Sequence, residues 1–315
     1  MPDEKRLIYV AGHNIVIYNA DEGTQQFVSG SENATQINYV TLSPSGRYLA
    51  YCERAEPRAQ VTVYEIPAKK KRKTLPEPGM ENLNAIECKA FLSCAFSSAT
   101  EDAHLVTLAR DNDWYAIVWQ WDTNKMLLNI PLNVVDPHID PLTFQISLQK
   151  VGQDFACVVT GSYTYKYIKI TADLKSNDEM HSQLLPHGRD EVSQEYTSHA
   201  WAKDTVQLIV TTANGDILVC AMSGEFLILI PDSPRGCRID SICPHSQGVI
   251  FGGADGMIWL YNSSENEHVV YALAQRPVSS ANRDCPPAIQ IEPASITQMA
   301  ISPEEDILYY IDRNN

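Results

Sequence analysis

No run of 18 apolar residues occurs anywhere in the chain of 315 residues, so no segment is expected to span a membrane. The start offers no secretory signal either, since Met1-Pro2-Asp3-Glu4-Lys5-Arg6 leads into only a short apolar run before Gly12. Positive charge is scarce: Lys and Arg number 24 against 39 Asp and Glu, a formal charge of -15. Such a balance opposes broad attraction to phosphate backbones and anionic lipid, and argues against a nucleic-acid or membrane partner. The eight cysteines form no CxxC pair. Cys52, Cys94, Cys157 and Cys220 lie in strand-like runs and read as buried thiols in a reducing compartment. Cys88, Cys237, Cys243 and Cys285 are irregularly spaced, and a disulfide or zinc framework from them is the weaker reading. Nothing resembles a nucleophile elbow, a phosphate-binding glycine loop or a HExxH helix. Gly252-Gly253-Ala254-Asp255-Gly256 is glycine-rich but has no helix behind it to hold phosphate, and reads as a hairpin turn. No catalytic residue, metal or cofactor is expected.

What the chain does contain is short strands. Phe91–Ser97, His104–Ala109, Tyr115–Trp121 and Met126–Ile130 read as four of them with polar turns between, and the third ends in Trp121-Asp122. A Trp-Asp dipeptide closing the third of four strands marks one blade of a WD-repeat propeller. Copies follow. An apolar, Ser/Cys, Pro-like signature recurs at Leu42-Ser43-Pro44, Phe96-Ser97-Ser98, Ile146-Ser147-Leu148, Trp201-Ala202-Lys203, Ile242-Cys243-Pro244 and Ile301-Ser302-Pro303, in steps of 54, 50, 55, 41 and 59 residues. The expected role of Ser-Pro is to end the first strand, because proline has no N–H to give. Third strands are expected at Val61–Tyr64, Ile117–Trp121, Tyr167–Ile170, Ile217–Cys220 and Met257–Tyr261, with Asn214-Gly215 and Asp255-Gly256 as tight turns holding both central residues at positive φ. The structural blade residues are Tyr64, Trp119, Trp121, Asp122, Trp259 and Tyr261, the large rings packing between blades.

Together these predict an all-β, seven-bladed WD-repeat-type β-propeller forming one domain over 1–315, with blades near 7–29, 37–75, 91–131, 141–186, 195–232, 238–273 and 294–315. The first and last are incomplete: the chain enters on three strands and leaves on two. Seven is the count expected to close a ring and remove open sheet edges.

Three clusters could carry chemistry. Lys69-Lys70-Lys71-Arg72-Lys73 is a basic run in an acidic protein. Its ordinary reading is a solvated hairpin between the third and fourth strands of a blade; the functional reading is contact with an acidic surface such as a tubulin tail, ahead of a nuclear address. Asp136-Pro137-His138-Ile139-Asp140-Pro141 places two carboxylates and an imidazole close together, but a metal needs three or more convergent ligands and the prolines fit an ordinary loop. His181, His187, Asp190 and Glu191 stand in the most polar connection, where solvated side chains are expected.

With the blades laid out, the ordered segments Gly12–Asn19, Leu42–Ala50, Val61–Ile66 and Lys71–Leu75, continued by Val158–Gly161 and Ser198–Trp201, resemble the N-terminal propeller of the cilia- and flagella-associated WD-repeat proteins. The likeness is particularly to the long coiled-coil member tied to inner dynein arms. It implies a non-enzymatic axonemal scaffold. Its implied partners are inner-dynein-arm subunits and doublet-microtubule-associated proteins, with oligomers possible through a coiled coil downstream of these residues. Only the third blade keeps Trp-Asp; others end in Tyr18-Asn19, Tyr64-Glu65 or Tyr261-Asn262. The alternatives are a propeller hydrolase or lactonase with a metal in its channel, for which no repeated acidic position is visible at the blade inner edges, and a cytosolic adaptor unrelated to cilia.

Overall fold

The computed structural model describes residues 6–56, 58–76, 90–98, 102–110, 114–134, 144–173, 176–181, 195–203, 207–230, 237–262, 295–305 and 307–312. The chain divides into two compact units, residues 1–159 with 165–182, and residues 160–164 with 183–315. Within the described residues, β-strands pair antiparallel with their chain neighbours in seven sheets, and the only helix is a single 3-10 turn at Trp121–Thr123.

The first unit holds β1 (Arg6–Ala11), β2 (Asn14–Asn19) and β3 (Thr24–Ser29); β4 (Ala34–Leu42), β5 (Tyr48–Ala55), β6 (Gln60–Glu65) and β7 (Lys70–Leu75); β8 (Ala90–Phe96), β9 (His104–Arg110), β10 (Trp114–Gln120) and β11 (Lys125–Pro131); and β12 (Gln145–Val151), β13 (Asp154–Gly161), β14 (Thr164–Ile170) and β15 (Ser176–His181), the tip of the β13–β14 hairpin counting with the second unit. The second unit holds β16 (Tyr196–Trp201), β17 (Gln207–Thr212), β18 (Ile217–Ala221) and β19 (Phe226–Ile230); β20 (Ile239–His245), β21 (Gly248–Gly253) and β22 (Ile258–Asn262); and β23 (Ile296–Ile301) and β24 (Leu308–Asp312).

Within each unit the core lies between successive sheets, which explains why middle strands such as β6 and β10 are apolar runs rather than alternating ones: both of their faces are covered. On β10, Ile117 and Trp119 pack toward Val61, Val63 and Leu75 of the sheet before, while Trp114, Ala116 and Val118 pack toward Phe144, Ile146 and Ile168 of the sheet after. Ile15, Ile17, Leu49, Tyr51 and Tyr64 fill the gap between the first two sheets, and in the second unit Ile209 and Val219 meet Val249, Phe251 and Trp259. Each such fully buried side chain contributes about 1.5–3 kcal/mol.

First strands repeat one irregularity. The register skips Thr35, Leu92, Thr197, Asp240 and Thr297 near the start of their strands, and Asn38 in the middle of β4. A bulge turns the extra side chain aside, and two of these sites tie neighbouring first strands together. Asn38 donates to the Phe91 carbonyl at 2.9 Å, and Ser241, next to the skipped Asp240, donates to the Ile296 carbonyl at 3.0 Å.

Several expectations need correction. Trp121 follows β10 rather than ending it, because the chain turns into the 3-10 segment. Ile146-Ser147-Leu148 opens β12 instead of closing it, and Ile242-Cys243-Pro244 lies inside β20; the turns that correspond to Ser43-Pro44 there are at Gly152 and Ser246. At Asn214-Gly215 and Asp255-Gly256 only the glycines take positive φ, 82° and 74°. These are four-residue turns in which Gly215 donates back to Thr212 and Gly256 to Gly253. Cys52, Cys94, Cys157 and Cys220 are buried, as their strand-like runs predict, and Cys243 is buried with them; burial pushes the Cys157 thiol up to about 12.

Candidate protein-interaction site

The basic run is a sheet edge. Lys69 ends the turn after β6, and Lys70 to Lys73 form most of β7, the outermost strand of its sheet, with Lys69, Lys70, Lys71 and Arg72 exposed. β7 pairs with β6 as Glu65↔Lys70, Tyr64↔Lys71 and Val63↔Lys73, so Arg72 is the skipped residue of a bulge. That displacement brings its guanidinium to Glu65 Oε2. From the turn before β5, Arg47 places Nη2 at 2.7 Å and Nε at 2.8 Å from Glu65 Oε1. Glu65 is 3% exposed in its side chain, against 56% for Arg47 and 36% for Arg72. One covered carboxylate thus holds two open guanidiniums. The hydrogen bond from Arg47 leads in holding the Glu65 carboxyl below its ordinary range, against the opposing effect of burial and with help from Arg72. Arg47 also lies over the Tyr48 ring at 5.3 Å. Among the described residues no carboxylate pairs with Lys69, Lys70, Lys71 or Lys73.

Lys69 has φ 51°. The corresponding turns of other sheets carry Gly23 at φ 63°, Asn124 at φ 54° and Gly224 at φ 83°. Lys69, Asn124 and Gly224 each donate a backbone N–H to the carbonyl three residues back. The left-handed conformation costs a residue with a Cβ roughly 1–2 kcal/mol, so lysine stands where glycine or asparagine would be easier.

Beside this edge, Trp121 holds the gap to the next sheet. It is buried, edge-on to Tyr48 at 4.8 Å and to Phe96 at 6.5 Å, and its indole N–H donates to the Asp102 carbonyl. Asp102, at φ 60°, reaches back to the Ser43–Gly46 turn, accepting from the Ser45 hydroxyl and, at 3.3 Å, from the Ser45 N–H. The second unit repeats the device: Glu305, at φ 62°, accepts the Ser246 N–H at 3.0 Å and the Lys203 ammonium at 2.5 Å. Burial opposes ionisation of Glu305, but the bonds from Lys203 and Ser246 outweigh it and hold the carboxyl at about 2. In the Ser-Pro signature the serine also works as an acceptor. Ser43 Oγ takes the Tyr48 N–H at 3.1 Å and Ser302 Oγ takes the Ile307 N–H at 3.0 Å, which closes each turn.

The other singled-out residues are dispersed. Asp122 is exposed on the 3-10 turn and makes a favourable charge contact with His104, whose pKa burial lowers. Tyr64 is buried against the first sheet, and burial raises its hydroxyl. Trp119 donates its indole N–H to Thr107 Oγ1 at 2.9 Å, whereas the buried Trp259 indole N–H has no partner. The register explains the difference, since Gly253 occupies in β21 the position that Thr107 holds in β9. Tyr261 is in β22, paired with Val249. Asp136 to Pro141, His187, Asp190 and Glu191 lie outside the described residues, and His181 ends β15. Among the described residues no group of three or more His, Cys, Asp or Glu is placed to hold a metal. Sequence reasoning missed Arg47, Glu65 and Asp102. Only the turn signature around Ser43-Pro44 hinted at any of them.

No protein-family model matches the chain. Among curated proteins, cilia- and flagella-associated protein 57 of Mus musculus is 29% identical over 220 residues, covering 69% of this chain and 16% of the relative. Cilia- and flagella-associated protein 57 C of Tetrahymena thermophila is 23% identical over 279 residues, covering 74% of this chain and 21% of the relative. Protein 57 A of the same organism is 26% identical over 351 aligned positions, covering 98% and 26%. The chain therefore spans 16% to 26% of the length of these relatives. Among solved structures, a chain in the crystal structure of the mitotic checkpoint complex matches with a TM-score of 0.59 at 14% identity, over 98% of this chain and 81% of that one, a likeness of fold alone. The chain is thus all-β with a WD-repeat propeller as its structural neighbour, and its curated relatives are proteins named cilia- and flagella-associated protein 57, in agreement with the resemblance carried by its own segments.

Proposed function

We propose that the chain is a seven-bladed propeller acting as a non-enzymatic protein-interaction scaffold of motile cilia or flagella. It is read as the N-terminal propeller of an axonemal protein that supports assembly or regulation of inner dynein arms on doublet microtubules. The observation that carries this reading is the run of cilia- and flagella-associated relatives over 69% to 98% of the chain. The residue chemistry is compatible with it. Carboxylates such as Asp102 and Glu305 are engaged by neighbouring turns, while Lys69, Lys70, Lys71 and Arg72 at the edge strand β7 form a run of exposed positive charge. Surface segments on a rigid sheet scaffold are where recognition is ordinarily carried. Partners in this reading are inner-dynein-arm subunits and proteins bound to the doublet, with Lys69 to Lys73 as one contact, and a coiled coil elsewhere in the full protein as a route to oligomers. The test is to tag the full-length protein in a ciliated cell and extract with detergent. Retention in the axoneme, and loss of an inner dynein arm when the gene is deleted, are the expected results. A protein that washes out with the soluble fraction, with all arms intact in the deletion, overturns the proposal.

A further inference from the structure

The outermost strands differ sharply in charge. β3, β11 and β19 carry one lysine among them, Lys125, and β15 carries Asp178 and Glu179, whereas β7 reads Lys-Lys-Arg-Lys-Thr-Leu. Charge placed only to keep sheet edges from pairing would be expected on every such strand. Here it is gathered on one. Two further features point to binding rather than to solvation. Glu65 is covered and ion-paired to both arginines, yet the guanidiniums it orients stay open at 56% and 36%. Lys69 holds a left-handed turn position taken by Gly23, Asn124 and Gly224 elsewhere. Backbone cost kept at an exposed lysine is the kind of strain that accompanies a function.

We propose that β7, with Arg47, Glu65 and Arg72 at its start, is a docking edge for an extended Glu- or Asp-rich segment of a partner protein, which adds to this sheet as a further strand. The edge offers unpaired backbone groups for main-chain hydrogen bonds. Lys69, Lys70 and Lys71 meet the carboxylates as point charges, and the two guanidiniums can each present a fork of donors to a carboxylate. A peptide fits better than a nucleic acid or a lipid surface because the chain as a whole is at -15. A polyanion spread over a wide face meets that net repulsion, while a single added strand touches only the cationic edge.

This rests on the scaffold reading but can fail separately from it. The probe is a fluorescent peptide of about eight residues alternating Glu and Val, the length of one strand, titrated into the purified chain by anisotropy. Expected are saturable binding that weakens as salt rises, about tenfold weaker binding to the Lys70→Glu, Lys71→Glu double variant, and loss of binding when alternate peptide nitrogens are N-methylated. Lys70→Gln with Lys71→Gln, checked for an unchanged melting temperature, repeats the test without charge reversal and should weaken binding in the same direction. Equal binding to the N-methylated peptide overturns strand addition. Equal or tighter binding of a single-stranded oligonucleotide or of phosphatidylserine vesicles overturns the choice of an acidic peptide. No binding to the peptide, in a protein that is nonetheless retained in axonemes, overturns the docking edge and leaves the scaffold standing.

Discussion

The Ser45 hydroxyl donates to the Asp102 carboxylate across the gap between two successive sheets, and the Ser45 N–H adds a second bond to the same carboxyl at 3.3 Å. Asp102 is buried and is held in turn by the Trp121 indole on its backbone carbonyl. Replacing Ser45 by Ala or Asp102 by Asn is expected to cost about 1–3 kcal/mol each, as for hydrogen bonds to a charged group. The double variant should cost less than the sum. Urea denaturation of the four proteins in the cycle measures the coupling, and strict additivity would mean that the two side chains do not act on each other.

The tryptophans are predicted to differ in what their indole nitrogens contribute. Trp121→Ala should lower stability by about 3–5 kcal/mol, as removal of a buried ring does. Trp119→Phe strands the Thr107 hydroxyl and Trp259→Phe strands nothing, so the first should cost about 1 kcal/mol more than the second. Thermal melts of both variants read this out, and equal losses would contradict it.

Lys69→Gly should leave the fold unharmed or stabilise it by up to about 1 kcal/mol, because glycine takes the left-handed turn conformation without a Cβ penalty. A clear loss of stability by calorimetry would show that the lysine side chain makes an essential contact within the fold.

Glu305 gives the second unit an acid sensitivity with a defined sign. Its carboxyl sits at about 2 in the fold, against an ordinary 4.5, because the bonds from Lys203 and Ser246 outweigh burial. The unfolded chain therefore binds the proton more readily, so the stabilisation is complete above about 4.5 and is lost as pH falls toward about 2. Glu305→Gln should flatten the fall in unfolding free energy across that window while lowering stability at neutral pH. An unchanged acid profile in the variant would refute this.

His199 acts at milder pH. Burial drives its pKa down to about 3 from 6.5, and one ring nitrogen is 2.7 Å from Thr160 Oγ1. Folding requires the neutral ring, so stability is full above about 6.5 and declines as pH falls below it. Urea midpoints at pH 7 and pH 5 should therefore diverge in the native chain and converge in His199→Gln. Parallel shifts in both proteins would assign the acid sensitivity elsewhere.

Strands were the most legible part of the chain. Runs such as Val61–Tyr64 and Ile217–Cys220 are apolar on both faces and bounded by turn residues, and the structure places them in β6, covered on both sides by neighbouring sheets, and in β18, whose Ile217 and Val219 pack toward the β20–β22 sheet. Anchors that leaned on a short signature fared worse. Ile146-Ser147-Leu148 has the residue types of a strand end but opens β12, because the turn it was meant to mark is made at Gly152 instead. The basic run was visible as charge and invisible as geometry, since the bulge at Arg72 shifts that side chain out of simple alternation.

The amino-acid order by itself determined the all-β class, the four-strand repeat and the excess of acid, because each follows from side-chain period, turn chemistry and composition, which are local. Only tertiary structure decided which charges are spent and which stay open. Glu65 meets Arg47 from the turn before β5 and Arg72 from the bulge in β7, and Asp102 meets Ser45 from another sheet. Such pairings depend on the register of strands brought together across many intervening residues, and a one-residue bulge is enough to make or break them.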